Sequence, residues 1–218
     1  MIPIPIPNSD FDGGFYNWAD IGELCIATNW VPWWEQGNQP GINHRPEYAP
    51  ETMRFQGQKM FTTFSTHRGG LWQRIALPAG VQSLQLLVDC QYWSRHTDGT
   101  GGGLAMRCGI DPGAGDDPYS GSIAWGEWHG QDDKPAWDGK TTKTLIAELD
   151  ADFADWVTIW IESRCRFPAK HNDAYFDSVK LWAETGEGPG PEPGSLLETL
   201  QAINGNLERI ADMLQEYL

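Results

Sequence analysis

Carboxylates and tryptophans dominate the chemistry open to this sequence. It carries 30 acidic against 15 basic residues, a formal charge of −15, and 12 tryptophans in 218 residues. Glycoside hydrolysis needs two carboxylates roughly 5 to 10 Å apart across a cleft. Asp116-Asp117 and Asp132-Asp133 supply acids, but both doublets lie in loop-like sequence where solvation is the ordinary fate. A Ser-His-Asp device needs its members oriented in space, and none of His44, His67, His96, His129 or His171 sits in a nucleophile motif. Gly101-Gly102-Gly103 precedes no helix signal and so cradles no phosphate. No C-x-x-C or H-E-x-x-H spacing marks a transition-metal site. Binding without catalysis suits the residues better. An indole offers a flat apolar surface to the C–H face of a sugar ring, and polar neighbours orient the hydroxyls. Trp128 and Trp137 rank first as such platforms, because the Gly-, Asp- and Pro-rich stretch around them does not read as a strand interior. Trp34, Trp93 and His96 come next, while Trp18, Trp156 and Trp182 read as structural.

The elements that must position these side chains are strands. Period-two alternation runs from about residue 60 to 182. Leu71, Gln73, Ile75 and Leu77 share one face, and a turn follows at Pro78-Ala79-Gly80. Further strands cover Leu84 to Trp93 and Leu104 to Ile110, separated by Asp98 to Gly103, and Val157, Ile159 and Ile161 form another buried face. Tyr175 to Trp182 is the last strand. Residues 29 to 58, with Pro32, Trp33, Trp34, Pro40, Pro46 and Pro50, read as one long loop. The pattern predicts an all-β, two-sheet sandwich. Cys90 and Cys108 fall in phase with the apolar side of their strands and read as buried free thiols.

Both ends differ from this body. Met1 to Pro7 alternates Ile with Pro, which predicts an extended arm that cannot join a central strand and becomes ordered against a partner. It lacks the basic start, continuous apolar run and cleavage site of a secretory signal. After the body (8–184) and a Pro/Gly linker (185–194), apolar residues recur at Leu196, Leu200, Ile203, Leu207, Ile210, Leu214 and Tyr217. This alternating spacing of four and three is a coiled-coil seam, opened by a capping box at Ser195 and Glu198. Leu at position a with Ile at d disfavours a parallel dimer, so residues 195–218 predict a homotrimer, with a tetramer as the alternative. The acidic balance argues against nucleic acid or anionic lipid as a partner. No stretch of 18 apolar residues spans a membrane.

Between Asn8 and Trp182 the chain resembles the jelly-roll carbohydrate-binding modules and related galactose-binding-like domains. The resemblance rests on Asn8-Ser9-Asp10-Phe11-Asp12-Gly13-Gly14-Phe15, which looks like the family's N-terminal strand, on Gly69-Gly70-Leu71-Trp72-Gln73-Arg74-Ile75 in the middle and on Asn172 to Val179 at the close, which looks like its last strand. Arg45-Pro46-Glu47-Tyr48, Thr66-His67-Arg68-Gly69-Gly70 and Gly109-Ile110-Asp111-Pro112 are similar to jelly-roll segments of bacterial extracellular and phage virion proteins. The resemblance implies a structural calcium held by Asp12 and Asp177, with Asp10 as a helper. Taken with the arm and the seam, it implies a non-catalytic, oligomeric virion-surface protein of head-decoration or fibre type, bound to other virion or surface proteins and contacting glycans. A bacterial cell-surface, extracellular adhesion module is the alternative, ahead of a carbohydrate-active enzyme.

Overall fold

The computed structural model describes residues 1–36, 44–51, 57–130 and 137–186, with the backbone alone over 137–141. The linker beyond residue 186 and the heptad seam lie outside the described residues.

Two six-stranded antiparallel sheets form a sandwich. The strands are β1 (Ile2–Ile4), β2 (Phe15–Asn17), β3 (Cys25–Ala27), β4 (Val31–Trp34), β5 (Glu47–Glu51), β6 (Gly57–Thr62), β7 (Ser65–Ala76), β8 (Val81–Arg95), β9 (Leu104–Asp111), β10 (Ala124–Trp125), β11 (His129–Gly130), β12 (Trp137–Asp150), β13 (Trp156–Ala169) and β14 (His171–Thr185). The first sheet runs β12-β8-β14-β6-β5, with β1 beside β14; the second runs β10-β9-β13-β7-β4, with β11 beside β9. Successive strands from β6 to β9, and again from β12 to β14, alternate between the sheets. Residues distant in sequence therefore meet on one face.

The core follows from alternation. Leu71 and Ile75 of β7, Val157, Ile159 and Ile161 of β13, and Met106, Cys108 and Ile110 of β9 turn inward from the second sheet. They meet Leu84, Leu86, Val88 and Cys90 of β8 and Ala174, Phe176 and Leu181 of β14. Each large side chain buried this way contributes about 1.5 to 3 kcal/mol. All four cysteines are free, and Cys90, Cys108 and Cys165 are buried.

Four expectations need correction. The stretch 29–58 is not one loop, because it supplies β4, β5 and β6. Its prolines hide the strands: Pro32 and Pro50 lie within the outermost strands of their sheets, where a missing amide donor is tolerated. The segment expected as a strand near Asn8 is a run of turns in which Asn8 and Phe11 take positive φ. Trp137 begins the 14-residue β12. The Ile-Pro arm does pair with its own domain: Ile2, Pro3 and Ile4 stand opposite Ala183, Trp182 and Leu181 of β14. Amides of alternate residues point to the same side of a strand, so Ile-Pro alternation strips the donors from one edge and leaves the other complete. Such a segment fits a sheet margin. Ile4 and Ile6 are buried in the main core.

Candidate functional site

Because Val157, Ile159 and Ile161 face inward, Trp156, Thr158, Trp160, Glu162 and Arg164 face outward from the second sheet. Arg68, Gly70, Trp72 and Arg74 share that outer face from β7, Arg107 and Gly109 from β9, and Trp33 from β4. Trp33, Trp160 and Ile123 form a second apolar cluster there, with Trp72 and Trp125 packed on it. Trp160 meets Trp33 edge-on at 6.1 Å between centroids and Trp72 at 5.9 Å, within the range of favourable aromatic pairs. Two glycines let the rings lie down. A Cβ on Gly109 would fall 2.6 Å from the Trp125 ring, and one on Gly70 would fall 2.9 Å from Trp33 Nε1.

The segment after β9 crosses the middle of this face. Buried Asp111 accepts from the Gly113 amide (2.9 Å), the Gly115 amide (3.1 Å) and the Ser122 hydroxyl (2.8 Å), while Thr158 donates to the Gly115 carbonyl (2.7 Å). The strap is thus fixed over the Thr158 and Trp160 rows, and the two ends of the face differ. At one end Arg74, Ala114 and Trp156 line a shallow recess of about 450 Å³. Trp156 is 52% exposed, the most open tryptophan among the described residues. The Arg74 guanidinium lies 5.7 Å from the Trp72 ring centre and 3.8 Å from Asp116.

At the other end Glu162 is fully buried and holds two arginines. It accepts from Arg68 Nε at 2.5 Å and from Arg107 Nε and Nη2, both at 2.7 Å. Arg68 also reaches Glu35 at 3.5 Å. The Arg107 guanidinium lies 4.1 Å from the Trp125 ring centre and 4.2 Å from that of Trp128, and Arg164 lies 3.8 Å from Trp128. Guanidinium and indole alternate through four residues, each contact within the reach of a cation–π attraction.

Of the five residues singled out from sequence as glycan contacts, the structure places Trp128 on this face, half-buried against Arg107 and Arg164. Trp34 turns the other way and packs against the main core. Trp137 pairs through its backbone with Ser94, and its side chain lies outside the described residues. Trp93 and His96 belong to β8 and its following turn, on the first sheet. There Trp93 stacks on His171 at 4.0 Å, beside buried Asp173, which accepts from Tyr175 (3.2 Å) and pairs with Lys59 (3.2 Å). His96 pairs with Asp98 at 3.3 Å and meets Phe64 edge-on. The five do not converge on one site. Sequence reasoning passed over Trp156 and Arg74, although inward-facing Val157, Ile159 and Ile161 already placed the even-numbered residues of that strand outward.

The aspartates expected to hold calcium lie on the N-terminal turn and on β14. Asp177 is half-buried and accepts from the Ser178 amide at 2.7 Å. Burial, then the nearby charges of Asp10, Asp89 and Asp12, raise its carboxyl above the usual range. The Val179 amide donates to the Ser9 carbonyl at 2.9 Å, tying the N-terminal turn to β14. Among the described residues, however, no three His, Cys, Asp or Glu side chains form a metal-ligand group. Side chains alone therefore do not supply the cage of about six to eight oxygens that calcium takes.

No protein-family model matches the chain, and no curated protein matches it with significance. Among solved structures, the carbohydrate-binding module TmCBM61 in complex with β-1,4-galactotriose is similar at 12% identity and a TM-score of 0.47, over 83% of this chain and 99% of that one. A CBM4 structure is similar at 13% identity and a TM-score of 0.44, over 83% of this chain and 100% of that one. The K3 cleaved adhesin domain of Lys-gingipain from Porphyromonas gingivalis is similar at 11% identity and a TM-score of 0.47, over 83% of this chain and 97% of that one.

Proposed function

We propose that this chain is a non-catalytic glycan-binding β-sandwich that seats sugar on the outer face of its second sheet, with Trp156 as the stacking platform. The exposed Trp156 ring beside the recess shared with Arg74 carries this reading. An apolar ring that water disfavours lies within a concavity bordered by a guanidinium, the pairing of platform and polar group that sugar recognition needs. The buried carboxylates of the same face are already engaged: Asp111 holds the strap and Glu162 holds two arginines. Neither is poised as a general acid or nucleophile, so binding fits the face better than hydrolysis.

The setting we infer is oligomeric and surface-borne, on a virion or, alternatively, a bacterial exterior. Support comes from the sequence: the seam from Leu196 to Tyr217 reads as a trimer-forming helix. Three linked weak sites would gain avidity without new contacts. Sedimentation of the intact chain against a version ending at Glu184 separates this from a monomer.

The binding test is calorimetry or glycan-array retention of wild type and Trp156→Ala. Loss of the platform should cost on the order of 1 to 3 kcal/mol, as for aromatic anchors at other interfaces, or about 5- to 150-fold in Kd. Thermal stability should barely change, because the ring is half in water. Undiminished binding by Trp156→Ala would move the site elsewhere, and no glycan binding by wild type would end the proposal.

A further inference from the structure

Two indole donors on this face, Trp33 Nε1 and Trp160 Nε1, are buried and lack an acceptor among the described residues. A buried indole N–H ordinarily finds a partner, because leaving it unpaired is costly, and ring faces are only weak acceptors. Trp33 is covered by Tyr119 of the strap, which meets it edge-on at 6.4 Å between centroids and is itself 55% exposed. The strap is fixed at its root, where Asp111 accepts from the Gly113 and Gly115 amides and the Ser122 hydroxyl. Its tip, Asp116 to Gly121, is held differently. There the Tyr119 amide donates to Asp117 at 2.9 Å and the Ser120 and Ser122 hydroxyls pair at 2.6 Å, all within the strap. Beyond the Trp33 contact, the tip reaches the sheet through the exposed Asp116–Arg74 pair at 3.8 Å and the Tyr119 ring at 5.4 Å from the Arg68 guanidinium, contacts that contribute little. A short segment closed at its root and weakly held at its tip has the form of an Ω-loop.

We infer that this tip is a movable cover over a continuation of the sugar-binding bed, and that a linear neutral oligosaccharide running along the face from Trp156 displaces Tyr119 and offers a hydroxyl oxygen to Trp33 Nε1. The inference rests on the glycan reading above and names its ligand class, a chain of several units rather than a single sugar. Trp156 stands opposite Ala76 of β7, Trp160 opposite Trp72, and Trp33 opposite Gly70. From Ala76 to Gly70 the strand advances about 20 Å at roughly 3.3 Å per residue, a length that a chain of sugars spans and one ring does not. Half-buried Trp72 lies between the open end and the covered one. Uncharged indole donors and a formal charge of −15 suit a neutral ligand. Moving the tip breaks the Tyr119–Trp33 contact and leaves the Asp111 clamp intact, so the bed opens without unfolding the face. A cover that must first move lowers the affinity for long chains by the fraction of molecules in which it is open.

The test titrates the intact chain by calorimetry with the disaccharide and the hexasaccharide of β-1,4-linked glucose, xylose and galactose. In a series that binds, the hexasaccharide should bind about 10-fold or more tightly than the disaccharide, as expected for one further anchor. Tyr119→Ala should raise hexasaccharide affinity by about 3-fold or more and leave the disaccharide unchanged, since the cover no longer has to move. Trp33→Phe keeps a ring but removes the donor, and should weaken the hexasaccharide by about 2- to 10-fold, the effect of one neutral hydrogen bond. Trp156→Ala should weaken both lengths. Equal wild-type affinity for the two lengths, a hexasaccharide bound no better by Tyr119→Ala, or one that a folded Trp33→Phe binds as well as wild type, would overturn the covered bed and leave the glycan reading standing. Absence of binding in all three series overturns the covered bed, and if a glycan array also retains nothing the glycan reading falls with it. Thermal melting of each variant separates lost recognition from lost folding; if Trp33→Phe misfolds, Tyr119→Ala, which alters an exposed ring, decides.

Discussion

Replacing Glu162 by Gln tests whether one buried carboxylate organises the outer face. The substitution keeps the volume but removes the charge and turns one acceptor into a donor aimed at a guanidinium. Glu162 has no solvent access, whereas the Arg68 and Arg107 side chains are 29% and 16% exposed. Removing one partner of a fully buried ion pair costs about 3 to 5 kcal/mol. Because both arginines can partly recover water, the expectation falls to about 2 to 3 kcal/mol. Urea unfolding should show a lower midpoint with an unchanged slope, as expected for a change in stability without a change in the surface exposed. The loss should persist at high salt, since buried pairs are screened little. Near-ultraviolet circular dichroism should change as well, because Arg107 loses the anchor that holds it between Trp125 and Trp128. A cost below about 0.5 kcal/mol, within the range of an ordinary surface substitution, would refute the claim that Glu162 holds this face together.

Other consequences follow from the same geometry. Ile4→Ala and Ile6→Ala should each destabilise the isolated domain by about 2 to 5 kcal/mol in urea unfolding, since both side chains are core; unchanged midpoints would return the arm to an external role. His67 is buried between Thr62 (2.9 Å), Ser163 (3.1 Å) and Cys165 (3.2 Å), and burial lowers its pKa from 6.5 to about 3. Only the unfolded chain then takes the proton between those values, so stability is full above about pH 6.5 and falls toward pH 3, by up to about 3 kcal/mol at pH 4.5. His67→Gln should remove that component of the pH dependence of the urea midpoint. Asp177 has the opposite sign: its raised carboxyl costs stability at neutral pH, and the cost fades as pH falls through its folded pKa to its unfolded value. Asp177→Asn should therefore raise the melting temperature of chelated protein at pH 7 and leave it nearly unchanged at pH 3. If calcium seats beside Asp12 and Asp177, adding it should raise the wild-type melting temperature and not that of the variant; an unchanged wild type rules the ion out.

Alternation made the body of the sandwich legible. Leu71 to Leu77, Leu84 to Trp93, Leu104 to Ile110 and Val157 to Ile161 read as one-sided faces, and apart from Leu77, one residue past β7, all lie within strands of the structure. The edges were less legible, because β1, β4 and β5 carry proline where a central strand would not. An edge strand needs donors on one side alone, and composition does not reveal which side that is. The openness of individual tryptophans was illegible for a different reason. Tryptophans were ranked by whether their surroundings looked like loops, which selected Trp34 and Trp137 and demoted Trp156. A strand presents as much side-chain surface outward as inward, so an outward tryptophan within a strand can be more open than one in a loop folded against the body. Trp34 and Trp33 make the point: they are neighbours in β4, yet one packs against the main core and the other joins the outer cluster. Parity along the strand decides which ring faces outward, and the register with β7 fixes that parity. The arginine cluster was further out of reach, because Arg68, Arg107 and Arg164 become neighbours through strand order alone. Glu162 then holds Arg68 and Arg107 together, while Arg164 lies over the Trp128 ring.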